Sequence, residues 1–269
     1  MEKVILTMTT VPSRIQNKSP YGFKAVIYSL MNQAYENFEL HLNIPKVNKK
    51  TNQPYVIPEW LDKLNNVWVR RNVMRIYRTE DYGPITKLYP TVQRIKDPNT
   101  KIIVVDDDLI YDSRMIEEHL KLRKKNNEVV WAFAGVGALE NHQFSGIDRF
   151  VGAVNEDTRV SIVEHYKTVS YVRSMFDNDF NDEFVTKGWA DDELVSAYMG
   201  MKEIKKYVGA TDYIPKWETE SEWRKYGVVE SFPIVNRCSG VGGHDGCDLF
   251  RVDKEEVLLD KSLSKYLAV

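Results

Sequence analysis

The run Lys101-Ile102-Ile103-Val104-Val105-Asp106-Asp107-Asp108 sets the terms for the rest of the chain. Its apolar, β-branched stretch has the character of a buried parallel strand. The strand ends in three consecutive carboxylates, which repel one another and are costly to desolvate. A divalent cation compensates such a cluster well. Mg²⁺ and Mn²⁺ prefer oxygen ligands, commonly one or two carboxylates plus phosphate oxygens from a substrate. The carboxyl ends of strands are also where ligands bind in open α/β sheets. The run therefore predicts a metal–phosphate site. The competing reading is a solvated acidic loop that caps the next helix through Asp112 or Ser113. On an extended chain, alternate side chains point the same way. That puts Asp106 and Asp108 on one side and Asp107 on the other.

Outward from this run, the chain alternates between the two periodicities. Val4 to Thr9 is an apolar strand, and Pro12 stops its continuation. Phe23, Val26, Ile27, Leu30 and Met31 share a helical face within 22–34, and Phe38, Leu40, Leu42 and Ile44 alternate as a strand. Two short strands over 67–71 and 74–78, a helix over 86–95 and another over 113–125 complete the first half. Strand and helix in alternation predict a doubly wound α/β sheet. The second half is less regular, with strands over 129–134, 159–164, 168–173 and 204–208. Helices are expected over 191–201 and 253–266. No linker splits the chain, so 1–269 is expected to form one domain. Residues 1–112 would be its donor half and 113–269 its acceptor half.

Composition narrows the function. The 269 residues are 43% hydrophobic and 12% aromatic, enough for a sizeable core. With 37 basic and 39 acidic residues the net charge is −2, so no global field draws nucleic acid or an anionic membrane. No segment approaches the roughly 20 apolar residues of a membrane helix. The N-terminal apolar run is too short for a signal peptide. These features predict a cytoplasmic protein and leave room for peripheral membrane docking through partners. Cys238 and Cys247 make no disulfide framework. They flank His244, but the spacing fits no common zinc pattern.

Three further segments carry chemistry. In Glu80-Asp81-Tyr82-Gly83-Pro84-Ile85-Thr86-Lys87-Leu88 a turn leads into a helix with Lys87 in its first turn. A cation there opposes the helix dipole, unless it meets a phosphate. In Trp189-Ala190-Asp191-Asp192-Glu193 three acids open a helix. Their position suits the dipole, and their crowding suits a general base with a raised pKa. In Gly240-Val241-Gly242-Gly243-His244-Asp245-Gly246 the glycines permit close approach to a ligand, with His244 as a metal or diphosphate contact. His41, His119, His142 and His165 stand in no suggestive company. The chain carries no Gly-x-Ser-x-Gly, His-Glu-x-x-His, Walker loop or Gly-x-Gly-x-x-Gly after the first strand.

Taken in order, 5–14, 81–88, Val104-Val105-Asp106-Asp107-Asp108 and Ala190-Asp191-Asp192-Glu193 resemble a GT-A fold glycosyltransferase of the broad family 2-like type. The resemblance implies a doubly wound mixed sheet with helices on both faces. It implies a nucleotide cradle at Thr9, Pro12 and Arg14, and contacts from Lys87 to the nucleotide or phosphates. Asp106 would meet the ribose or donor sugar, with Asp107 counted beside it among the cofactor-binding residues or, by the alternation above, holding the loop. Asp108, with Asp106 and a late histidine matched by His244, would bind Mn²⁺ or Mg²⁺ on the diphosphate. In inverting members an acid pair opens a helix and its second acid is the base, which maps onto Asp192 with Asp191 as the alternate. The expected reaction moves a sugar from a UDP-sugar or related donor to a glycan or other hydroxyl acceptor. Aromatics such as Tyr171, Trp189 and Trp217 would stack on the acceptor or belong to the core. The rivals are a nucleotidyltransferase and a non-catalytic carbohydrate-binding module. The first usually needs a glycine-rich loop after the first strand, and Thr10 to Arg14 has no glycine.

Overall fold

The computed structural model describes residues 2–16, 22–69, 72–137, 149–151, 154–187, 190–211 and 266. Its strands are β1 (Val4–Met8), β2 (Phe38–Pro45), β3 (Trp68–Val69), β4 (Asn72–Thr79), β5 (Lys101–Val104), β6 (Val130–Ala132), β7 (Ala134–Val136), β8 (Arg149–Val151), β9 (Thr158–Arg159), β10 (Ile162–Val163), β11 (Val169–Val172) and β12 (Lys206–Val208). Its helices are α1 (Pro12–Ile15), α2 (Phe23–Met31), α3 (Glu59–Asp62), α4 (Tyr89–Arg94), α5 (Met115–Lys125), α6 (Asp182–Val185) and α7 (Asp191–Met201).

Among the described residues, nine strands form one sheet in the order β3-β4-β2-β1-β5-β11-β6-β12-β9. Strands β4, β2, β1 and β5 run parallel, and β11 is antiparallel to both of its neighbours. A second sheet orders β10-β7-β8.

Strand β5 shows why the sheet is covered on both faces. Ile102 and Val104 pack with α4, α6 and α7, while Ile103 and Val105 pack with α2, α3 and α5. Alternate residues of one strand thus enter two different cores, which explains the unbroken apolar run. Strand β1 does the same with less symmetry: Val4, Leu6 and Met8 join the α2 side, and Thr7 turns a hydroxyl to the other.

Several boundaries differ from the sequence expectation. The helix expected from 86 is a 3₁₀ turn, Ile85–Lys87, followed by α4. Pro90 in the first turn of α4 fits there because its missing N–H would be unpaired anyway. The residue at the N-cap of α5 is Arg114, not Asp112 or Ser113; Asp112 Oδ1 instead accepts from the Arg114 backbone N–H (2.9 Å). The strands expected over 129–134 and 159–164 each divide between the two sheets, as β6 with β7 and β9 with β10. Helix α7 begins and ends as its periodicity predicts, with Leu194, Ala197 and Tyr198 fully buried. Cys238, His244, Cys247, Trp189, Trp217 and all but Tyr266 of the expected last helix lie outside the described residues.

Candidate functional site

Parallel β1 and β5 end on the same edge of the sheet, and the antiparallel β11 begins there. Val169, the first residue of β11, pairs with Val104, the last of β5. The loops 9–14, 105–111 and 165–168 therefore meet.

Extended geometry stops at β5, and Asp107 and Asp108 stand in a turn. This corrects the alternation expected for the three acids: Asp107 and Asp108 share one partner, and Asp106 takes another. Arg14 of α1 pairs with Asp107 through Nη1 and lies 3.5 Å from Asp108 through Nη2. Tyr111 fixes the bend. Its buried hydroxyl accepts from Asp106 N (2.7 Å) and donates to Asp106 O (3.0 Å). Asp107 Oδ2 and Thr10 Oγ1 are buried and have no hydrogen-bond partner among the described residues.

Asp106 faces Lys87, whose Nζ lies 2.6 Å from Asp106 Oδ1 and 3.0 Å from Asp191 Oδ2. Burial alone would lower the Lys87 pKa, but Asp106, Asp191 and Asp192 outweigh it and hold the ammonium well above its usual value. The lysine is also held from behind. Its carbonyl accepts from the Thr7 hydroxyl and from Asn43 Nδ2 (3.2 Å). Asn43 also reaches Thr91 (3.0 Å) and accepts from Arg94 (2.6 Å). Thr9 Oγ1 donates to Asn43 O (2.8 Å), which ties the first loop to the same frame. Pro12 opens α1 and is buried.

The acids of α7 complete the network. Ala190 at the N-cap offers no side-chain cap, and Asp191, Asp192 and Glu193 fill the first turn, where the dipole favours negative charge. His165 Nδ1 lies 2.7 Å from Asp191 Oδ2 and 2.7 Å from Asp192 Oδ1. The His165 backbone N–H also donates to Asp192 Oδ1 (2.9 Å), and its Nε2 meets the Tyr171 hydroxyl (2.8 Å). Burial would lower the His165 pKa, but the two carboxylates reverse this and push it up to about 9. For Asp191 burial acts upward, and Lys87 with His165 outweighs it and holds the carboxyl well below its usual range. Burial, with Asp192 beside it, raises Glu193.

The two candidate bases thus separate. Asp191 is buried and already faces two cations. The Asp192 side chain is 35% exposed, and both of its close contacts among the described residues fall on Oδ1. Tyr171 is fully buried, a core residue and not an acceptor platform.

A divalent cation fits this chemistry. Among the described residues, five carboxylates (Asp106, Asp107, Asp108, Asp191, Asp192) stand with the cations Lys87, Arg14 and His165. The carboxylate oxygens of Asp106 and Asp108 are of the hard kind that Mg²⁺ or Mn²⁺ prefers, although among the described residues Asp106, Asp107 and Asp108 do not bring three ligand atoms together. His165, Asp191 and Asp192 also offer ligand atoms within 4.8 Å of one another. There, however, the Lys87 ammonium lies 3.0 Å from Asp191 Oδ2, and the imidazole contacts have ion-pair length. That trio pairs opposite charges, although His165 Nδ1 and Asp191 Oδ2 make no hydrogen bond among the described residues.

Sequence reasoning passed over His165 and Tyr111. No local signal marks either; both are placed by pairings distant along the chain.

No protein-family model matches the chain, and no curated protein matches it. Solved structures do. A 4-diphosphocytidyl-2C-methyl-D-erythritol synthase superimposes with a TM-score of 0.50 at 6% identity, over 84% of this chain and 97% of that one. Residues 1–349 of S. aureus TarS, solved with UDP, give a TM-score of 0.49 at 11% identity, over 79% of this chain and 59% of that one. A Francisella tularensis 2-C-methyl-D-erythritol 4-phosphate cytidylyltransferase gives 0.46 at 11%, over 84% and 99%. At such identities the likeness is one of fold. The fold is α/β and GT-A-like, a doubly wound mixed sheet.

Proposed function

We propose that the chain is a metal-dependent inverting glycosyltransferase that moves a sugar from a nucleotide-diphosphate donor, UDP-sugar foremost, to a hydroxyl of a glycan or other acceptor. The observation that carries this reading is the meeting of two acid groups on one sheet edge. Asp106–Asp108 and Asp191–Asp192 are joined there through Lys87. Asp108 and Asp106 hold Mn²⁺ or Mg²⁺, with His244 as a further ligand. When bound, the cation offsets negative charge on the departing diphosphate. Thr9, Pro12 and Arg14 cradle the nucleotide, and Arg14 keeps Asp107 and Asp108 in place. Asp192, the exposed member of its pair, takes the proton from the acceptor hydroxyl as that oxygen attacks the anomeric carbon. Asp191 anchors Lys87 and His165 instead.

The test is product analysis with UDP-sugars, Mn²⁺ and a panel of glycans. Wild type releases UDP and forms a glycoside. Asp192→Asn still binds UDP but loses transfer by about 10²–10⁴-fold, the usual contribution of a general base. Near-normal transfer by this variant would remove Asp192 from the role. Pyrophosphate release from a nucleoside triphosphate would mark a nucleotidyltransferase instead. Glycan binding that needs no nucleotide and gives no product would mark a binding module.

A further inference from the structure

We infer that His165 is a positioning residue for Asp192, gripping one carboxylate oxygen with both its main chain and its ring so that the other oxygen is left to meet the acceptor. This rests on the reading of Asp192 as the base.

The grip is built from three features. The first is reach from two directions: the His165 backbone N–H lies 2.9 Å from Asp192 Oδ1 and Nδ1 lies 2.7 Å from the same atom. The main-chain contact is a hydrogen bond, and the ring contact is an ion pair: Nδ1 is as close to Asp191 Oδ2 and makes a hydrogen bond to neither acid among the described residues. The second is a fixed ring. His165 is fully buried, and its Nε2 is held by Tyr171 Oη at 2.8 Å. Tyr171 is itself fully buried, with its ring edge-on to Phe176 at 5.4 Å. The imidazole therefore has no room to turn away from the acids. The third is the backbone that delivers it. His165–Lys167 is a 3₁₀ turn closed by Thr168 at φ 74°, a conformation strained for a β-branched residue. Such strain persists only where the surroundings over-determine it. Here the Thr168 hydroxyl meets buried His119 Nε2 at 2.6 Å, and Phe133 N donates to Thr168 O (3.3 Å).

The neighbouring acid explains why the grip favours Asp192. Asp191 has Lys87 as a second cation, at 3.0 Å, and needs His165 less. Asp192 stands at the open side of the pair, where a carboxylate without the contact would rotate into solvent. Misplacement of a reacting group by about 1 Å costs on the order of a hundredfold in rate.

The experiment compares His165→Asn with His165→Gln in the full chain. Asn places an amide nitrogen near the Nδ1 position, and Gln places one near Nε2. Gln should lower kcat about a hundredfold while leaving the donor KM and the Mn²⁺-dependent UDP shift in melting temperature unchanged, and Asn should recover most of the loss. Full kcat in the Gln variant overturns the proposal. So does loss of the UDP–Mn²⁺ shift, which would place His165 in the donor or metal site. Equal kcat losses in both variants, tracking a lowered melting temperature, would reduce His165 to a structural part and also overturn it. A second readout needs no turnover. In ¹⁵N-histidine NMR the His165 Nδ1–H resonance should move in Asp192→Asn. If wild type turns over no nucleotide sugar, the transferase reading fails, and this resonance alone decides the grip: no movement overturns it.

Discussion

Two buried lysines show how differently one residue type behaves. Lys87 is 8% exposed and stands between Asp106 and Asp191. Lys87→Met leaves Asp106 without its cation and Asp191 with His165 alone, and breaking a buried pair in this way costs about 3–5 kcal/mol. Urea unfolding at neutral pH should show that loss, and donor binding should weaken with it. Lys206 is fully buried, and among the described residues its ammonium hydrogen-bonds only the Ser196 carbonyl, at 3.1 Å. Burial, then Arg159, pushes its pKa down to about 8 from 10.5. Between these values the unfolded chain binds the extra proton, so this lysine makes the protein more stable as pH rises from about 8 towards 10.5. At pH 7 its buried charge opposes folding. Lys206→Met should therefore be the more stable protein at pH 7, by about 1–3 kcal/mol. Its advantage over wild type should shrink across that window, as unfolding curves at several pH values would show.

The turn that delivers His165 is the element most open to test. Thr168 holds φ 74°. Replacing it by Ala or Gly removes the same hydroxyl from His119, so the two variants share that loss. Only Gly relieves the backbone, and the strain is worth on the order of 1–3 kcal/mol. Thr168→Gly should melt above Thr168→Ala even though Gly carries about 0.4–1 kcal/mol of extra unfolded-state entropy; a Gly variant that melts below Ala by that margin would show that the turn is unstrained. Elements also mark the limit of what the sequence discloses. Helix α7 was legible because its apolar positions repeat at helical spacing behind an acidic first turn. The acids after β5 were legible because an apolar strand ends in them. Their side-chain directions were not, since the chain leaves extended geometry at Asp107 and Asp108. Strands β7, β9 and β10 have two or three residues each, too few for a period to show. His165 had no local signature; the β5–β11 register carries it to the site.

At the scale of the molecule, the ion network couples site to stability. His165, raised from 6.5 to about 9, contributes stability that is fully present below pH 6.5 and lost as pH rises through about 9. Asp191 is held below its usual 3.8, so its contribution is present above that value and lost as pH falls through its folded pKa. The network thus stabilises most between about pH 4 and 6.5. The decline from there to about 9 should vanish in His165→Gln when unfolding free energies are compared. In the proposed function this network borders a metal-dependent nucleotide site. The most direct test is thermal melting of the full chain with UDP, GDP, CMP and ADP, each with Mn²⁺ and with EDTA. A ligand at a hundredfold excess over its Kd stabilises by about 2.7 kcal/mol. A nucleoside diphosphate, UDP foremost, should raise Tm with Mn²⁺, and EDTA or Asp108→Ala should abolish the rise. No shift with any nucleotide, or one that survives both EDTA and Asp108→Ala, would contradict the proposed function.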